Sequence, residues 1–145
     1  MSLFLFGCKF MLANLLIYSY NLYKICKRSS LVVSFLKDLQ QKIIAFRDAR
    51  NWRQFHTPKD LAISLTLEAG ELLENFQWKT SEEAVRANFE HIKDELADVV
   101  IYALLLSHEL GIDLEEAIIN KMEKNEKKYP IEKAFGSKKK YDELK

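Results

Sequence analysis

Three short punctuation marks divide this chain more firmly than any other feature: Thr57-Pro58 with Asp60, Thr80 three residues before Glu83, and Asp113 three residues before Glu116. Each offers a side-chain oxygen to the free N–H groups of a starting helix. Pro58 adds a residue suited to the first helical position. Helix-period apolar patterns flank these marks. Leu36, Leu39, Ile43 and Phe46 predict an amphipathic helix over about Leu31 to Arg50. After Pro58, Leu61, Ile63, Leu65, Leu67, Leu72, Leu73 and Phe76 make a helix apolar nearly all round, which predicts a place in the middle of a bundle. A short helix is expected after Thr80, then a third long one in which Phe89, Ile92, Leu96, Val99, Val100, Ala103 and Leu106 face inward until Gly111 stops it. The fourth runs from Leu114 through Ala117, Ile118 and Met122 and must end near Tyr129, because Pro130 comes next. No strand alternation and no internal repeat interrupt this reading. The fold class expected is all-α, an antiparallel four-helix bundle over 31–130 with a basic surface tail over 131–145.

Residues 1–30 differ in composition from the remainder of the chain. From Phe10 to Cys26 the chain is apolar and aromatic, broken by Asn14, Ser19, Asn21 and Lys24. A run of this length barely reaches the roughly 20 residues that span a bilayer. It reads either as a membrane anchor that leaves Lys24, Lys27 and Arg28 on the cytoplasmic side, or as an added or upstream-started segment. A secretory signal fits less well, since the run lacks a small-residue cleavage pattern. Cys8 and Cys26 have neither disulfide-framework nor zinc-ligand spacing, which fits a reducing, cytoplasmic setting.

A formal net charge of +1 conceals a strong asymmetry: residues 1–59 sum to +8, residues 60–116 to −11 and residues 117–145 to +4. An acidic centre disfavours a nucleic acid polymer, whose phosphates need Lys and Arg, and favours a cation. The acids are also patterned. Glu68 and Glu71 lie three apart inside an apolar helix, and Glu95 and Asp98 repeat that spacing in the next. Residues three apart share a helix face, so neighbouring helices can bring all four together. Carboxylates gathered in this way repel one another unless a cation joins them, and their oxygens suit hard Mg²⁺ or Mn²⁺. Glu74, Glu90 and Asp94 read as surface or supporting acids. A di-iron bundle would need Glu-x-x-His on two helices, but Asn88 and Leu105 stand three residues before His91 and His108.

The order E-x-x-E, spacer, E-x-x-D resembles the MazG-like all-α nucleoside triphosphate pyrophosphohydrolases. The segments "RNWRQFHTPKDLAISLTLEAGELLENFQWK", "DELADVVIYALLL", "INKMEKNEKKYP" and "GSKKKYDEL" resemble the small deoxycytidine-triphosphatase branch of that family, over about Leu36 to Leu144. This resemblance implies that Glu68, Glu71, Glu95 and Asp98 hold Mg²⁺, with Mn²⁺ as a substitute. It implies that Trp52 and Trp78 surround the base, and that Tyr102, Lys121, Asn125 and Tyr129 line the sugar and phosphate end. His56 and Lys128 lie in matching motifs, His56 being counted with the substrate-binding set. The reaction implied is attack of water on the α-phosphorus of dCTP or a modified pyrimidine deoxynucleoside triphosphate, releasing monophosphate and pyrophosphate, with Glu71 taking the proton. A homodimer or homotetramer is implied as well. The competing reading is a non-catalytic helical interaction module, tethered to a membrane through residues 10–26.

Overall fold

The computed structural model describes residues 35–144, and among them there is no strand: the fold is all-α. The apolar run over 10–26 and the expected helix start at Leu31 lie outside the described residues. Helix α1 covers Phe35–Asp48, α2 Pro58–Glu74, α3 Ser81–Glu109 and α4 Leu114–Lys128. A 3₁₀ turn at Trp52–Phe55 precedes α2, and a short α5 at Ile131–Ala134 and a second 3₁₀ turn at Tyr141–Glu143 come after α4. Among the described residues, no helix is long and apolar enough to cross a membrane.

The three punctuation marks work as their chemistry dictates. Thr57 Oγ1 accepts from the Asp60 N–H at 3.3 Å, with Pro58 opening α2. Thr80 and Glu83 form a reciprocal capping box at the start of α3, the Thr80 N–H donating to Glu83 Oε2 at 2.8 Å. Asp113 Oδ1 accepts from the Glu116 N–H at 3.1 Å. Each removes an orphan donor from a helix start. At the far end of α3, Gly111 takes φ +65°, so the Ile112 N–H reaches back to Ser107 O at 2.8 Å and the Gly111 N–H to His108 O at 3.1 Å. Only a residue at ease in the left-handed region closes a helix this way without strain.

The principal contact in the fold is α2 against α3, running antiparallel. At one end Leu61 packs with Leu105 and, from α1, Ile44. At the other, the Asn88 side chain donates to Asn75 O at 2.9 Å. Helix α1 lies on the C-terminal half of α3, where Gln40 Nε2 donates to Leu104 O at 2.9 Å and to Ser107 Oγ at 3.0 Å. The stretch expected as a separate short helix is the first two turns of α3, continuous across Asn88, whose backbone is non-helical at φ −124°, ψ 19°. Bending there lets the Asn88 amide reach α2.

Two expectations are corrected. On α3, Phe89, Leu96 and Val100 do not face a core within the chain: they are 58 %, 52 % and 42 % exposed, and the buried positions are Ala84, Leu104, Leu105 and Ser107. Helix α2 is not in the middle of a bundle within a single chain: Leu61 is its one buried residue, while Leu67 is 60 % and Leu73 69 % exposed. Its apolar residues span a wider arc than its principal neighbour α3 covers, and α4 buries no residue of its own. The tail over 131–144 is largely exposed, as expected of a surface segment, but carries two short turns of helix.

Candidate metal and nucleotide site

The facing sides of α2 and α3 set the site. Along α2 the face runs Leu61, Glu68, Glu71, Asn75, and along α3 it runs Asn88, His91, Glu95, Asp98, Tyr102, Leu105. Because Leu61 meets Leu105 and Asn75 meets Asn88, the antiparallel register brings Glu68 and Glu71 opposite Glu95 and Asp98. Glu68, Glu71 and Glu95 each present a carboxylate oxygen within 4.8 Å of the others. Asp98 stands beside this trio, close enough to act on Glu68 electrostatically. Glu68, Glu95 and Asp98 are half-buried and Glu71 is exposed.

Crowding shows in proton affinity. The Glu68 carboxyl is held above the ordinary carboxylate range, first by partial burial and then by the negative charges of Glu71, Asp98 and Glu95. An arrangement of this kind is relieved by a divalent cation with oxygen preference. Beside the trio is an open depression of about 270 Å³ lined by Glu71, Glu74, Asn75, Asn88, His91 and Glu95. Asn75 Nδ2 donates back to Glu71 O at 3.0 Å, which ties the depression's rim to the helix bearing Glu71. Asn75, Asn88 and His91 were missed as site residues from sequence, although Asn75 follows Glu71 by one turn and His91 precedes Glu95 by one turn. A Cβ at Gly70 would meet nothing within 4 Å, so packing in the chain does not demand glycine there.

An aromatic row begins one turn beyond Asp98. Tyr102 lies 6.4 Å from the His56 ring, His56 lies 6.5 Å from Trp52, and Trp52 meets Phe46 edge-on at 6.1 Å. The Arg50 guanidinium sits over Phe46 at 3.5 Å. Asn51, at φ 54°, turns the chain so that the short Trp52–Phe55 helix can follow α1. His56 Nδ1 is buried without a hydrogen-bond partner. Burial, then the Arg47 charge, lowers the His56 pKa against the opposing pull of Glu109, so the ring is neutral near neutral pH.

Arg47 was also missed. It is 1 % exposed, its Nε donating to Asp48 at 2.8 Å and its Nη1 to Glu109 at 2.5 Å, while Nη2 has no partner. Burial alone would lower its pKa, but the two carboxylates more than reverse this, so the guanidinium stays charged. It follows Ile44 by three residues on the buried face of α1, a spacing legible in the sequence.

The remaining expected residues stand apart from the acids. Trp78, in the α2–α3 connection, has φ +60° and is 94 % exposed. Lys121 and Asn125 are exposed on α4. Tyr129 meets Tyr141 edge-on at 6.2 Å. Among the described residues, no hydrogen bond or ring contact joins these four to the acidic trio.

Comparison with known proteins adds to this geometry. The chain is 38 % identical to dCTP pyrophosphatase 1 of Homo sapiens over 114 residues, 75 % of this chain and 67 % of that protein. It is 37 % identical to the Rattus norvegicus protein of the same name, with the same coverage. Among solved structures, a pyrophosphatase from Archaeoglobus fulgidus DSM 4304 superposes with a TM-score of 0.64 at 40 % identity, covering 71 % of this chain and 99 % of that one. The profile of the MazG-like family matches residues 63–144, which include both acidic pairs, α4 and the tail. The chain belongs to the MazG-like family.

Proposed function

We propose that this protein is a Mg²⁺-dependent nucleoside triphosphate pyrophosphohydrolase of nucleotide-pool house-cleaning, with Mn²⁺ as a substitute metal. Its substrate is dCTP or a modified pyrimidine deoxynucleoside triphosphate, and its products are the monophosphate and pyrophosphate. The observation that carries this is the meeting of Glu68, Glu71 and Glu95 within 4.8 Å, beside Asp98, in a register set by α2 and α3. The names of the relatives, dCTP pyrophosphatase 1 and a pyrophosphatase, support the reaction class and the base.

Oxygen donors alone, partly buried and crowded so that the Glu68 pKa is raised, fit a hard divalent cation better than a thiolate- or imidazole-seeking one. Glu68, Glu71, Glu95 and Asp98 would hold it. Bound there, the cation supplies neutralisation of the polyphosphate charge and a lowered pKa for water. Glu71, the most exposed of the trio, takes the proton of the attacking water. The new bond forms at the α-phosphorus and the α–β bridging bond breaks, with pyrophosphate leaving. Trp52, His56 and Tyr102 form the aromatic wall for base and sugar, where stacking is open to any nucleobase. Neutral His56 adds no positive charge of its own to that wall. Trp78 covers the base from its exposed loop, and Lys121, Asn125 and Tyr129 meet the phosphates.

The open apolar flank of α2, with Leu67 and Leu73, and the unburied α4 fit assembly as a homodimer or homotetramer that covers them. A cytoplasmic setting suits a nucleotide substrate, with the helical domain over 31–130 flanked by the apolar extension over 1–30 and the basic tail over 131–145. The test is pyrophosphate release from a panel of canonical and modified deoxynucleoside triphosphates, with and without Mg²⁺. Turnover with Mg²⁺ that disappears in Glu68→Ala and Glu95→Ala is expected. Equal turnover in those variants rejects the site, and no turnover across the panel favours the interaction module.

A further inference from the structure

Arg47 is the only buried charge among the described residues, and the proposed chemistry leaves it without a task. As a fastening of α1 onto α3 it is a poor choice, since apolar residues of similar size hold two helices as well or better than a buried ion pair. Its bonds to Asp48 and Glu109 occupy Nε and Nη1, and among the described residues Nη2 has no partner. From Glu109 the network runs to the aromatic row. The carboxylate oxygen that takes Arg47 Nη1 also lies 3.9 Å from Arg53 Nε, and Arg53 O accepts the His56 N–H at 3.1 Å. His56 has its own buried Nδ1 without a partner, and Arg47 and Glu109 are near enough to act on its proton affinity. Two orphan nitrogens, Arg47 Nη2 and His56 Nδ1, thus belong to one cluster beside the row.

Buried polar nitrogens are paired in folded proteins, with protein groups or with ordered water. A guanidinium holds donors only, so whatever joins it to His56 meets the imidazole from the positive side, which favours a lone pair at Nδ1 over a second N–H. A neutral imidazole with its lone pair on Nδ1 carries its proton on Nε2. We infer that Arg47 is a positioning residue for the nucleotide: through one buried water, its Nη2 holds His56 Nδ1 as an acceptor and so fixes Nε2–H as a donor to an acceptor atom of the base. On a pyrimidine that atom is the O2 carbonyl or, in cytosine, N3. Tyr102 and Trp52, the ring neighbours of His56 at 6.4 and 6.5 Å, flank this donor. The inference rests on the pyrophosphohydrolase reading and deepens it, by giving a role to a residue that never touches substrate.

Long-range ¹⁵N–¹H correlation NMR of the full chain reads the tautomer directly, with His56→Gln used to assign the His56 ring among the three histidines. The wild type is expected to hold His56 near neutral pH as a single neutral form, protonated on Nε2. In Arg47→Met/Glu109→Leu, which replaces the buried pair by apolar residues and keeps the fold, the Nδ1–H form should appear beside it. With dCTP and Mg²⁺ the same double variant should raise KM about fivefold, the scale of one hydrogen bond, while kcat holds. His56→Gln places an amide N–H near the Nε2–H position without needing Arg47, so in that background the double variant should raise KM no further. A wild-type His56 protonated on Nδ1 overturns the inference. A double variant that keeps the Nε2–H form alone does so too, as does a KM penalty of equal size in the His56→Gln background, which is what a merely structural Arg47 would give. Absence of turnover with every nucleotide, while the tautomer still follows Arg47, refutes the pyrophosphohydrolase reading and leaves the link from Arg47 to His56 standing.

Discussion

Replacing Glu95 by Gln should stabilise the metal-free protein and abolish its stabilisation by Mg²⁺, two effects of opposite sign from one nearly isosteric change. With carboxylate oxygens no more than 4.8 Å apart, a pair of unit charges repels by at least about 0.9 kcal/mol at the dielectric of water and about 3.5 kcal/mol at an effective dielectric of 20. Glu71 is exposed and its neighbours are only half-buried, so the lower figure applies. Removing the Glu95 charge removes its pairs with Glu68 and Glu71. Screening over a Debye length of about 8 Å at physiological ionic strength leaves about half of that repulsion, or about 1 kcal/mol in all. For a unit of this size the change corresponds to a rise in Tm of about 4–8 °C. Thermal unfolding followed by circular dichroism in EDTA, at fixed protein concentration, reads it directly, and the gain should grow as salt is lowered. In Mg²⁺ at about a hundred times its dissociation constant, the wild type should gain about 2.7 kcal/mol, which the variant should largely lose. A Glu95→Gln protein that is less stable than wild type in EDTA, yet still stabilised by Mg²⁺, would refute the proposition that these acids crowd around a cation.

Glu109→Ala strands the buried Arg47 guanidinium with only Asp48 as a partner and should destabilise by about 3 kcal/mol in urea unfolding, whereas Arg47→Met/Glu109→Leu should recover most of that. A loss indistinguishable from that of an exposed surface substitution would show that the pair does not hold α1 on α3. Acidification should act in opposite senses at two places. The raised Glu68 pKa makes its contribution most favourable in acid and lost as the pH rises through the folded value, so metal-free protein gains from Glu68 on moving from neutrality toward its ordinary pKa of 4.5. The lowered His56 pKa gives stability that is present above 6.5 and lost as the pH falls through the folded value. Comparing stability from pH 7 downward, Glu68→Gln should remove the first trend and His56→Phe the second. Unchanged pH profiles in both variants would dismiss these linkages.

The local chemistry of the helix starts was fully legible, because a cap needs only residues three apart: Thr57 with Asp60, Thr80 with Glu83 and Asp113 with Glu116 all carry their own instructions. The acidic pairs were legible for the same reason, their spacing fixing a shared face before any partner is known. That Glu68 and Glu95 would meet depended on α2 and α3 being neighbours, and the short connection between them made that the natural arrangement. Burial of α2 was not legible. Apolarity at Leu67 and Leu73 says that these residues should be covered, but not whether the cover comes from the same chain. Arg47 lay on a readable stripe with Ile44, yet its partner Glu109 is 62 positions away, and no periodicity links them. The break at Asn88 was legible as the gap between a short helix after Thr80 and the long one holding Phe89, but its partner, the carbonyl of Asn75, belongs to another helix and was not.

The Asn75–Asn88 clasp and the Leu61–Leu105 contact fix how α2 slides against α3, and neither belongs to the hairpin tip between Gln77 and Thr80. The tip therefore carries no information about the spacing of the carboxylates. Residues could be inserted or deleted there, as in a hinge whose pin lies elsewhere, and the distance from Glu68 to Glu95 would survive so long as the amide bond and the leucine pair remained.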